Sequence, residues 1–302
     1  MDKKPSIYIY SPSGAVRDKL AFRRGIRLLE KNGCDVEVDA SALSSHQRFA
    51  GDDQVRIESI MRAATSGADI ALITRGGYGL TRILDQLPYS ALANAIDQGT
   101  QFVGFSDFTA LQLGVLSQTG RATWAGPALC EGFGATEPDE IMLDCFWDVV
   151  KRQGEGVGWR LPKAMEPFNV SNAKLWGGNL TTLSSLLATP FFPLVDDGVL
   201  FLEDVGEHPY RIERQLTQLL HSGVLAKQRA LIFGQFTEYK LTSHDRGFKI
   251  QTVVEWLRHK LQIPVLTDLP FGHVPTKVML PVGRNVDMIV EGRDVLIVWG
   301  DL

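Results

Sequence analysis

The chain is short of cysteine, of basic runs and of long apolar stretches, and each shortage excludes something. Among 302 residues there are three cysteines, Cys34, Cys130 and Cys145, odd in number and far apart. They lack both the paired spacing of a zinc site and the even count of a disulfide framework, so they read as reduced core thiols. The net charge is −4 and no basic tract stands out. That disfavours nucleic-acid binding, since neutralising phosphates takes clustered Lys and Arg. No apolar run approaches the roughly 18 residues of a membrane span. The opening MDKKPSIYIYSPSG has no long apolar core followed by a small-residue cleavage site, so no signal peptide is expected. The six histidines are dispersed and no His-Glu-x-x-His helix occurs, so neither a metal nor another cofactor is expected. Together these absences favour the cytoplasm.

What is present is the composition of a globular protein, 44% hydrophobic and 22% charged, with enough apolar material for a sizeable core. SIYIYSPSG, CDVEVD, DIALITRGGYG and QFVGFS read as strands. DKLAFRRGIRLLEKNG, DDQVRIESIMRAATSG and LTRILDQL read as helices between them. Alternation of this kind predicts α/β architecture, a parallel sheet flanked by helices. Residues 1–135 form the expected N-terminal α/β domain. The Gly-, Pro- and charge-rich KRQGEGVGWRLPKAMEP places a linker region at 136–165. A second α/β unit follows at 166–302. In it LWGGNLTTLSSLLATP reads as a turn feeding a helix, GVLFLEDVGEHPYRIERQLTQLLHSG as strand, loop and helix, and RALIFGQF, IPVLTDL and VDMIVEGRDVLIVW as strands.

Four strand-end features could act together. In FVGFSDFTAL, residues 102–111, Ser106 sits where a buried strand becomes a helix, and Gly104 permits a tight turn there. The elbow pattern is half met, because Phe108 stands where a second glycine is usual. On these residues alone, Ser106 or Asp107 as an ordinary helix cap is the favoured reading, both residue types being good caps. A serine needs a base. His273, in LTDLPFGHVPTK, lies just past the strand IPVLTDL, unlike the other five histidines in polar or helix-surface contexts. A base needs an orienting carboxylate. Glu203 ends the apolar run GVLFL, where a carboxylate is costly unless paired; Asp204 and Glu207 are nearby alternatives, and pairing with Arg211 or Arg214 is another. Gly76-Gly77-Tyr78-Gly79 could turn backbone N–H groups toward a reacting carbonyl. A phosphate cradle is the competing reading, but no P-loop lysine or dinucleotide fingerprint follows.

With these residues in view the sequence resembles the LD-carboxypeptidases, the muramoyltetrapeptide carboxypeptidases of bacterial cell-wall recycling. The likeness runs almost end to end, through SPSG at 11–14, RFAG at 48–51, RGGYG at 75–79, GFSDFTALQ at 104–112 and GP at 126–127. It continues through LWGGNL at 175–180, LEDVGEHPYRIERQLTQL at 202–219, FGH at 271–273 and LPVG at 280–283. The resemblance implies a Ser-Glu-His triad at Ser106, Glu203 and His273, and an oxyanion hole from the amides of Asp107 and Gly77. It also implies a cytoplasmic, metal-free homodimer with an N-terminal flavodoxin-like domain and a smaller C-terminal α/β domain. The implied reaction releases terminal D-Ala from murein tetrapeptide.

That substrate carries a free carboxylate, for which Arg75 and the Gly177-Gly178-Asn179 loop are candidates, with Gly76 and Trp176 added to the substrate-binding set. Arg75 could instead pair with an acid, and Gly-Gly-Asn could simply start a helix. Two rival functions stand beside the carboxypeptidase. One is a microcin C self-immunity peptidase acting on a peptidyl-nucleotide amide, which would want extra aromatic surface; Trp176 and Trp124 keep it open. The other is a non-catalytic muropeptide-binding module, against which an intact triad argues.

Overall fold

The first half of the chain alternates strand and helix because its apolar residues alternate between continuous buried runs and one-sided stripes. The computed structural model describes residues 4–300. Strand β1 (Ser6–Tyr10) leads into helix α1 (Lys19–Lys31), whose N-terminus is capped by the Asp18 carboxylate accepting from the amides of Leu20 and Ala21. Strand β2 (Asp35–Val38) and helix α2 (Asp53–Thr65) follow, the latter capped by Asp52. Then come β3 (Ile70–Ile73), α3 (Tyr89–Asp97), β4 (Gln101–Gly104), α4 (Thr109–Thr119) and β5 (Thr123–Ala125). The chain continues through α5 (Glu140–Val150), β6 (Gly156–Asn179), α6 (Leu180–Ser185), β7 (Val199–Val205) and α7 (Pro209–His221). It ends with β8 (Ala230–Thr237), α8 (Ile250–Lys260), β9 (Val265–Leu266), β10 (Leu280–Val282) and β11 (Asn285–Val298).

Two sheets result. The first has the order β10-β5-β4-β3-β1-β2, parallel except at the β5–β10 edge. Its 2-1-3-4-5 core is the flavodoxin order, and the loops leaving β1, β3 and β4 gather at the carboxyl edge, where such sheets place their ligands. The second has the order β11-β6-β7-β8-β9, with β6 through β9 parallel and β11 antiparallel to β6. Helix α4 joins the two. It is buried from Thr109 through Leu116 and packs on α3 and β5 on one side and α6 and β6 on the other. A helix apolar all round belongs inside. Among the described residues no helix is long and apolar enough to cross a membrane.

Several local expectations are corrected. The segment 136–165 is regular over much of its length, holding α5, capped by Asp139, and the first ten residues of β6. Its Gly, Pro and charge content belongs to a half-exposed strand: the N-terminal part of β6 pairs with β11 alone, so polar side chains face water and Pro162 is tolerated at a free edge. LTRILDQL forms two 3₁₀ turns, Leu80–Arg82 and Leu84–Gln86, rather than a helix; Pro88 follows directly and forbids continuation. LWGGN is the end of a strand, not a turn. β10 lies in the C-terminal half of the sequence yet closes the first sheet.

Candidate active site

Ser106 is held in a strained conformation. Its φ is +65°, in the left-handed region that non-glycine residues seldom occupy. It leaves β4 through a 3₁₀ turn, Ser106–Phe108, that runs straight into α4. Neither Ser106 nor Asp107 caps that helix by its side chain. The geometry is that of a strand–turn–helix elbow that pushes a hydroxyl outward.

The hydroxyl meets an imidazole. His273 Nε2 lies 3.1 Å from Ser106 Oγ, and His273 Nδ1 lies 2.8 Å from Glu203 Oε2. With Nδ1 protonated and donating to the carboxylate, Nε2 is free to accept the serine proton. The two partners arrive from different strands of the second sheet. Glu203 is in β7, wholly buried, and His273 is on the loop beyond β9. Burial alone would depress the histidine's pKa; the hydrogen bond and charge of Glu203 outweigh it and raise it above the ordinary 6.5. The neighbouring carboxylates do not compete. Glu207 pairs with Arg211 at 3.6 Å. Asp204 accepts from Thr181 and Asn179, and burial, then the Glu203 charge, raise its pKa.

The glycine-rich loop after β3 lies on the serine. A Cβ on Gly76 would stand 2.7 Å from Ser106 Cβ and 3.4 Å from the Asp107 nitrogen. Among the described residues the amides of Asp107 and Gly77 have no main-chain acceptor. The Asp107 side chain is buried and accepts from Ser13 Oγ and from the Leu80 amide, the latter at 3.0 Å. It thus ties the serine turn to both the SPSG and the RGGYG loops. Its pKa is raised by desolvation, against which those hydrogen bonds act.

A cavity of about 590 Å³ opens on this group, lined by Arg75, Gly77, Ser106, Glu131, His273 and Lys277 among others. A larger hollow of about 670 Å³, between β6, β8 and α8, contains none of the three interacting side chains. Among the described residues no group of His, Cys, Asp or Glu is arranged to hold a metal ion.

The remaining candidates separate. Arg75 lines the cavity, with Nε 3.5 Å from Glu131 Oε1. Trp176 does not: it is fully buried, donates to Gln228 Oε1 at 2.8 Å and packs edge-on against Phe192, so it is a core residue. Gly177 and Gly178 also leave the substrate-binding set. They are strand residues facing Phe201 and Thr109 at close range, and the following amide, of Asn179, donates to Thr109 Oγ1. Asn179 is buried and donates to Glu203 Oε1 at 3.2 Å and to Asp204 Oδ1 at 3.0 Å, so it supports the carboxylate rather than facing the cavity. Trp124 packs edge-on against Trp299. Sequence reasoning missed Ser13, Glu131 and Lys277. For Ser13 the second serine of SPSG is the only signal; Glu131, in a single π-helical turn (Leu129–Phe133), and Lys277, on the loop before β10, have none.

The profile of the LD-carboxypeptidase N-terminal domain matches residues 7–126, and that of the LD-carboxypeptidase C-terminal domain matches residues 172–288. A putative carboxypeptidase of Synechocystis sp. is 32% identical over 292 residues, covering 93% of this chain and 90% of that protein. The crystal structure of muramoyltetrapeptide carboxypeptidase from Oxalobacter formigenes superposes with a TM-score of 0.88 at 37% identity, covering 98% of this chain and 99% of that one. The microcin C7 self-immunity protein of Escherichia coli is 26% identical over 319 residues, 95% of this chain and 90% of its own length.

Proposed function

The chain belongs to the LD-carboxypeptidase family of serine-type carboxypeptidase hydrolases, and from that premise we propose that it hydrolyses the L,D bond releasing terminal D-Ala from murein tetrapeptide. The observation that carries this reading is the relay from Ser106 Oγ through His273 to Glu203, at 3.1 and 2.8 Å. The name of the Oxalobacter relative supports the substrate.

In the proposed mechanism His273 Nε2 takes the Ser106 proton as Oγ attacks the carbonyl at the L centre of diaminopimelate. Glu203 keeps the imidazole oriented and stabilises its cation. The oxyanion turns to the amides of Asp107 and Gly77, donors of a kind worth about 3 kcal/mol each to the transition state. Collapse of the tetrahedral species passes the histidine proton to the D-Ala amine and leaves an acyl-enzyme. Water, deprotonated by His273, then releases the tripeptide. We place this activity in the cytoplasm, in a homodimer, with the nucleophile carried by the unit of the first sheet and its two partners by the unit of the second.

Incubation with purified murein tetrapeptide, followed by mass spectrometry, tests the reading. Tripeptide and free D-Ala are expected. An intact tetrapeptide beside a cleaved peptidyl-nucleotide amide would move the enzyme to the microcin-type reaction, and cleavage of neither would leave a binding module.

A further inference from the structure

One charged group in the cavity takes no part in the steps above. Lys277 is 3% exposed, yet it borders the cavity that holds Ser106 and His273. Its ammonium donates to two main-chain carbonyls, Glu131 O at 3.3 Å and Val274 O. An ammonium has three donors, so one N–H is left without a protein acceptor among the described residues. The acids that act on it are Glu131, Glu203 and Asp139, and each is engaged elsewhere. Glu131 faces Arg75 at 3.5 Å, and Glu203 holds His273. Asp139 caps α5 and accepts from Thr276 Oγ1 at 2.7 Å. Burial pushes the lysine below its usual pKa, and those three charges pull it back up.

A buried charge without a paired counter-charge is costly and is kept where something supplies the partner. Position says what that partner meets. The ammonium lies 5.1 Å from the centroid of the Phe105 ring, and that ring lies 4.9 Å from the His273 ring. Phe105 immediately precedes Ser106. The spare N–H is therefore one aromatic ring away from both nucleophile and base. Arg75 borders the same cavity, but its charge is already shared with Glu131.

We propose that Lys277 receives the terminal carboxylate of the peptide substrate, which completes its third hydrogen bond and neutralises its buried charge. The inference rests on the carboxypeptidase reading. It assigns the preference for a free C-terminus to one side chain from the loop that also carries His273.

The test compares kcat/KM for murein tetrapeptide and for the same peptide with an amidated C-terminus. An amide offers an acceptor but no charge, so the wild-type protein should favour the acid by about 100-fold, as charge-assisted hydrogen bonds in dry sites do. In Lys277→Met the acid-to-amide ratio should fall to near 1, and in Lys277→Arg it should stay above about 10. A ratio unchanged in folded Lys277→Met, with both substrates slowed alike, means that the lysine only pegs the two carbonyls, and overturns the proposal. Should Lys277→Met fail to fold, the wild-type ratio and Lys277→Arg still decide: equal cleavage of acid and amide by the wild type overturns it. No cleavage of the tetrapeptide by the wild type is a failure of the carboxypeptidase reading instead.

Discussion

Gly76-Gly77 follows β3 and Gly177-Gly178 lies just before the last residue of β6, and one glycine of each pair presses on the junction between β4 and α4. A Cβ on Gly76 would stand 2.8 Å from Ser106 Oγ, and one on Gly178 would stand 2.5 Å from Thr109 Oγ1. Three residues along one turn thus separate two close approaches. The first pair borders the cavity through Gly77 and comes up beside a strained, reactive hydroxyl. The second is enclosed between β7 and α4, and the amide of Asn179, directly after it, donates to Thr109 Oγ1 in the first turn of the helix. A glycine pair at a strand end signals that something comes close; what comes close, and whether solvent reaches it, is decided by the layer in which the strand ends.

The largest expected effect tests the reactive side. Replacing Ser106 by alanine should lower kcat/KM by on the order of 10⁴ or more, as loss of a triad nucleophile does. Circular dichroism and the melting temperature should stay close to wild type, since the hydroxyl is not a helix cap. Release of tripeptide at a near-normal rate by that folded variant would remove the chemical difference between the two glycine pairs.

The next effect concerns the residue that the second pair's own strand supports. Asn179, directly after Gly178, holds Glu203 Oε1, while Glu203 Oε2 holds His273. Glu203→Gln should lower kcat/KM by about 10³ or more, whereas Glu207→Gln, in a pair with Arg211, should change it less than about threefold. The pH dependence has a definite sign. Glu203 raises the His273 pKa against burial, so losing its charge moves the acid limb of kcat/KM to lower pH. The raised histidine also contributes stability that is fully present below about pH 6.5 and is lost as pH rises through the folded pKa. Glu203→Gln should therefore lose more stability at pH 5 than at pH 9. An acid limb that stays in place, or a crippled Glu207→Gln beside an active Glu203→Gln, would mean that another carboxylate orients the base.

Much of this site is legible from local pattern, and the rest is not for physical reasons. Ser106, Glu203 and His273 each stand where an apolar run gives way to a polar residue, and a strand end is visible without knowing its neighbours. Their convergence depends on α4 fitting between two sheets, which only the packing reveals. Trp176 shows the limit: a tryptophan beside two glycines looks like a ligand platform, but its partners Gln228 and Phe192 are far along the chain. The same holds for Lys277, whose carbonyl partners Glu131 and Val274 come from a π-helical turn after β5 and from the loop after β9. The β6 segment was obscured by its own edge, since a strand paired on one side carries the polar residues of a linker. β10 is too short for a local signal, and its pairing with β5 spans over half the chain.

The smallest effects come from the glycine pairs themselves and bear on the comparison most directly. Gly76 does not occupy the positive-φ region, so alanine is compatible with its backbone. The added methyl would meet Ser106 Cβ at 2.7 Å and Oγ at 2.8 Å, and relief has to come from the serine elbow. Gly76→Ala should cost about 100-fold in kcat/KM through displacement of the reacting atoms, with a stability loss under about 1 kcal/mol. Gly178→Ala differs in both respects. Its φ of +128° strains any side chain, and the methyl would meet Thr109 Oγ1 at 2.5 Å inside the protein. That combination should cost roughly 3 kcal/mol of stability, while the folded fraction, titrated with a serine-reactive phosphonate, keeps kcat/KM within about fivefold of wild type. Urea unfolding and active-site-normalised kinetics on both variants decide the matter. If Gly178→Ala loses activity per active site as deeply as Gly76→Ala and without unfolding, the second pair belongs to the reaction, and the division between a reactive and a packing face of the β4–α4 junction fails.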